Sequence, residues 1–103
     1  MPAIIYKIST RSLWDEAERT GVFVGAPVDR ADGFIHLSAA GQIEGTLARH
    51  FAGQAGLVLA EVDLGALGDT VRWEESRGGA LFPHVYGALP LAAVAGTRAV
   101  SQA

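Results

Sequence analysis

The segment LVLAEVDL at 57–64 constrains the fold more than any other stretch. It is almost continuously apolar, so it reads as a strand buried on both faces or at the centre of a sheet. AIIYKIS (3–9) is a second strand, short and β-branched, with Lys7 its only charge. VRWEES (71–76) sets Val71, Trp73 and Glu75 against Arg72, Glu74 and Ser76, the alternation of a half-buried strand. AAVAGTRAV (92–100) closes the chain as a strand with a bulge expected at Gly96. Trp14 and Trp73 are expected in the core.

Helical spacing is confined to two stretches. In RSLWDEAERTG, Leu13, Trp14 and Ala17 share a face, Ser9 or Thr10 caps the start and Gly21 stops the helix. Asp15 and Arg19 are spaced for an i,i+4 pair worth about 0.3 kcal/mol. In AAGQIEGTLARHFAG, Ile43, Leu47 and Phe51 make an apolar stripe, interrupted in regularity by Gly41 and Gly45. VFVGAPVDRADG (22–33) reads as a loop with a short extended piece at Val22–Val24 and with Gly25, Pro27, Asp29, Asp32 and Gly33 as turn formers, and GALGD as a short turn. Pro83 removes a backbone donor from FPHVYG (82–87), so a strand there is expected to be short or at an edge. Two helices are too few to wind a parallel sheet. The expected class is α+β with a mixed or mostly antiparallel sheet.

The 103 residues suit one compact domain, 1–103, and an apolar half supports a core without metal or disulfide staples. The net charge of −3 and the scattered cations argue against a nucleic-acid partner held through phosphates. The lack of cysteine excludes disulfides, thiolate metal sites and cysteine nucleophiles. No window approaches a membrane span, and MPAIIYKIS has neither the basic start nor the long apolar run of a signal peptide. A cytoplasmic protein is the default expectation.

Two histidines stand out, in DGFIHLS (32–38) and FPHVYG. On an extended FIHLS, Phe34, His36 and Ser38 share one face while Ile35 and Leu37 take the other, so the first face has the chemistry of a polar pocket wall. His84 and Tyr86 likewise share a side, where stacking and hydrogen bonding suit a planar ligand or a ribose. Arg77 with Gly78 and Gly79 offers a guanidinium fork beside backbone amides, a candidate anion site. Glu74 or Glu75 is a candidate general base or electrostatic stabiliser. Gln42 can reach a pocket from the first turn of its helix. The bland readings are a partly exposed His36 bonded to a carbonyl, a buried turn around His84, and solvated glutamates. His36, His84 and a glutamate could also form a metal set, although no HxxxH or HxH spacing supports it.

YKI, DGFIHLS followed by Gln42, RWE and FPHVYG, in this order, resemble the small bacterial proteins grouped as domain of unknown function 952, along nearly the whole chain. That group is similar in fold to ADP-ribosyltransferases and RNA 2′-phosphotransferases. The resemblance implies an ADP-ribosyltransferase-like α+β domain, with two small sheets around a cleft and two short helices. It implies that His36 and Ser38 match the strand pair that bonds a ribose, and that Tyr86 or Tyr6 stacks nicotinamide. Glu74 would be the carboxylate near the scissile bond, and NAD a candidate substrate. His84 belongs to the bacterial group rather than to the transferases. The expected function is a nucleotide-like small-molecule site with ADP-ribosyl or phosphoryl transfer. The alternatives are a non-catalytic ligand- or protein-binding module and a His/Glu metal-dependent hydrolase.

Overall fold

A computed structural model describes residues 4–102, apart from the side chain of Arg77. Among the described residues, eight strands fall in three antiparallel sheets. The first sheet runs β1 (Ile4–Thr10), β4 (Leu57–Asp63) and β8 (Val94–Val100), with β4 in the middle. The central place of β4 explains its unbroken apolar run: Val58, Ala60 and Val62 enter the main core, and Leu57 and Leu59 a second cluster. The bulge of β8 lies one residue before Gly96, since Gly96 pairs with Glu61 and Val94 with Val62, which leaves Ala95 over.

Helix α1 (Arg11–Thr20) covers the main-core face with Trp14 and Ala17. Thr10 caps it, accepting from the Leu13 N–H, and Gly21 ends it at φ 91°. The ion pairs on α1 are Arg11 with Asp15, at 3.7 Å, and Arg19 with Glu16, rather than Asp15 with Arg19. Helix α3 (Ile43–His50), entered through a 3-10 turn at Ala40–Gln42, covers the opposite face through Ile43 and Leu47, with Phe51 just beyond its end.

Two further helices occur where turns were expected. Pro27–Asp32 forms α2: Pro27 sits in the first turn, where a missing N–H costs nothing, and Asp29 accepts the Ala26 N–H at 2.8 Å. Gly33 closes α2 at φ 87°. Leu64–Leu67 forms α4, whose cap Asp63 accepts from the Gly65 N–H at 3.0 Å. Among the described residues there are thus four α-helices rather than two, and three sheets rather than two.

The second sheet pairs β2 (Val22–Phe23) with β7 (Leu89–Pro90). The third runs β3 (Ile35–His36), β6 (Leu81–Val85) and β5 (Val71–Glu75). Pro83 therefore lies in a strand that is short, one of the two expected possibilities, but central rather than at an edge. In an antiparallel pair a residue's N–H and C=O point to the same neighbour. The Pro83 carbonyl accepts from the Leu37 N–H at 3.0 Å, so the donor that proline lacks would face β3. Pairing stops there, and the chain crosses to the first sheet, where Ser38 and Tyr6 exchange two backbone hydrogen bonds of 2.8 Å. The missing N–H thus helps release the chain from one sheet to the other. Trp14 is core as expected, but Trp73 is 44% exposed. It lies on β5, an edge strand of the third sheet. No helix among the described residues is long and apolar enough to cross a membrane.

Candidate functional site

The register of the third sheet brings the two histidines together. His36 on β3 pairs directly with His84 on β6, so both side chains leave the same face. Their ring centroids are 5.4 Å apart with planes nearly perpendicular. Phe34 joins them, stacked on His84 at 4.1 Å and tilted against His36 at 4.7 Å. Both imidazoles line one cleft of about 540 Å³ between the first and third sheets. Apolar walls come from Leu13, Val28, Phe51 and Phe82, and hydroxyls from Ser9, Ser38 and Thr46.

Beneath His36 lies a buried ion pair. Lys7 Nζ donates to Asp29 Oδ2 at 3.1 Å and to the His36 carbonyl at 2.9 Å, and both Lys7 and Asp29 are almost fully buried. Asp29 is the hub. One of its oxygens takes Lys7 and the Ala26 N–H, and the other takes the His36 N–H at 3.0 Å and His36 Nδ1 at 2.6 Å. Burial pushes the Asp29 carboxyl up, but the His36 hydrogen bonds, Lys7 and Ala26 together outweigh it and hold the group well below the ordinary carboxylate range. Burial also lowers the Lys7 ammonium, against the pull of Asp29. His36 Nε2 meets Asp32 Oδ2 at 2.9 Å. An imidazole facing a carboxylate at each nitrogen donates from both only as the imidazolium.

His84 is held differently. Its Nδ1 lies 2.8 Å from Glu74 Oε1, which also accepts the Tyr86 hydroxyl at 2.7 Å. Hydrogen bonds from His84 and then Tyr86 lower the Glu74 carboxyl, and the same contact raises the Tyr86 phenol. Nε2 of His84 is buried and has no hydrogen-bond partner among the described residues. A buried polar atom left in that state costs about 1–3 kcal/mol.

Residues 8–97 match the family described as Protein of unknown function (DUF952). The chain belongs to this family. It is similar to the crystal structure of protein CC0527 from Caulobacter crescentus, with 50% identity, a TM-score of 0.90, and coverage of 93% of this chain and 84% of that one. The solution NMR structure of CC0527 gives 48% identity and a TM-score of 0.86, over 97% of this chain and 86% of that one. None of the curated proteins compared matches the chain.

In this family member the expected site residues divide. His36, Ser38 and His84 line the cleft, with Ser38 Oγ 2.9 Å from Thr46 Oγ1. Glu74 and Tyr86 stand behind His84 and do not line it. Gln42 is turned to structural use: its Oε1 accepts from the Ala39 N–H at 2.9 Å and its Nε2 donates to the Leu81 carbonyl at 2.8 Å. Gly78 and Gly79 adopt φ 66° and 80° in a short turn outside the cleft, and the Arg77 side chain lies outside the described residues. No three His, Asp or Glu side chains among the described residues are grouped to hold a metal. Sequence reasoning missed Lys7, Asp29 and Asp32. The signal was a lone cation inside an apolar strand, because a buried ammonium needs a carboxylate partner.

Proposed function

We propose that the cleft binds a nucleotide-like small molecule, with NAD or a derivative as the candidate, and that its histidines act in ribosyl or phosphoryl transfer. The observation that carries this reading is the convergence of His36 and His84 on one cleft. A volume of about 540 Å³ suits a small-molecule site, and apolar walls with a few polar groups suit a base joined to a sugar. The ADP-ribosyltransferase resemblance drawn from the sequence motifs is part of this proposal and bears on the ligand class only. Glu74 meets His84 instead of the cleft and Asp29 is buried with both oxygens occupied, so the carboxylate available to a ligand is Asp32. For His36 to bond a ribose, Asp32 must leave Nε2, and its half-exposed side chain is free enough of packing to do so.

The test is a titration of the labelled protein with NAD and ADP-ribose, followed by amide and imidazole NMR. Joint shifts of His36, Ser38 and His84 are expected. Unmoved signals at millimolar ligand would overturn the reading.

A non-catalytic binding module is the second reading, favoured by the occupation of both His36 ring nitrogens. Nicotinamide release from NAD that disappears in His36→Ala, with the circular dichroism unchanged, would exclude it.

A further inference from the structure

The cleft carries two imidazoles of opposite hydrogen-bonding character. An ionised carboxylate only accepts hydrogen bonds, so both neighbours of Glu74 Oε1 must donate. Tyr86 gives its O–H and His84 its Nδ1–H. A neutral His84 then carries only a lone pair at Nε2. The ring is fixed in this pose by Phe34 stacked on it and by the edge of His36. Its side chain is 4% exposed and lines the cleft; Nε2 is buried and unpartnered among the described residues, so a hydroxyl seated there displaces part of its cover. His36, flanked by Asp29 and Asp32, is arranged as the donor of the two.

We propose that Glu74 and His84 form an acceptor subsite, in which Nε2 of His84 takes a hydrogen bond from a ligand hydroxyl. This rests on the small-molecule reading of the cleft and deepens it: the group seated at His84 is a hydroxylated, ribosyl-type moiety. Glu74 is the positioning residue, because it sets the tautomer that leaves Nε2 bare. Tyr86 shares the task by occupying the same carboxylate oxygen, and Arg72 backs the Tyr86 ring at 5.3 Å.

Long-range proton–nitrogen NMR of the full chain at neutral pH reads the tautomer directly. His84 is expected to carry its proton on Nδ1, and ADP-ribose is expected to move the bare Nε2 signal in the direction of an accepted hydrogen bond. Glu74→Ala is expected to redistribute the proton between the two nitrogens and to weaken ADP-ribose binding at least tenfold. A proton on Nε2 in the free wild-type protein overturns the subsite whatever else binds. Shifts at His36 and Ser38 without any at His84 Nε2 overturn the subsite and leave the cleft reading standing. Shifts at none of them overturn both. Unchanged tautomer and affinity in Glu74→Ala remove the role given to Glu74.

Discussion

Lys7 and Asp29 determine how His36 is presented. Removing one member of a buried ion pair leaves the other charged and unpaired, at a cost of about 3–5 kcal/mol. Asp29→Asn is therefore expected to destabilise the protein by about that amount in chemical denaturation. It should also loosen His36, because the substituted amide no longer offers two acceptor oxygens. The pH dependence follows from the lowered Asp29 carboxyl. An unfolded aspartate titrates at about 3.9. Below that value the unfolded chain takes up a proton that the folded chain refuses. The stability due to Asp29 is thus fully present above about pH 4 and is lost as pH falls towards the folded value. Denaturation midpoints measured from pH 6 downwards should fall for the wild type and be flatter in Asp29→Asn.

Elements whose signals are local could be read from the chain itself. The Thr10 cap, the Gly21 stop and the apolar run of β4 each depend on neighbours within a few residues. Gly21→Ala is expected to cost about 1–2 kcal/mol, since φ 91° penalises a Cβ even though nothing crowds it. Thr10→Ala should cost about 1 kcal/mol through the lost cap. Thermal unfolding of both variants checks these values. Helix α2 was hidden because proline and aspartate start helices as readily as turns. The Asp29 carboxylate holds the start of this helix by accepting the Ala26 N–H, and its other partners are supplied by Lys7 and His36 from elsewhere in the chain. Trp73 was misplaced for a similar reason, since alternation defines two faces but not which of them is covered.

At the scale of the molecule, the site is the product of the His36–His84 register and of the crossing at Ser38 that brings the third sheet against the first. The sequence pointed to both histidines by their neighbours. Their separation in the chain hid the pairing, and Glu74 was identified without its partner. Other parts of the site rest on contacts also distant in the chain: Lys7 meets Asp29 across 22 residues and Gln42 meets Leu81 across 39. The most direct measurement is a crystal structure grown with ADP-ribose. Ligand density is expected in the cleft, with a ribosyl hydroxyl on His84 Nε2 and further contact at His36. An empty cleft at saturating ligand, or ADP-ribose bound elsewhere on the surface, would contradict it.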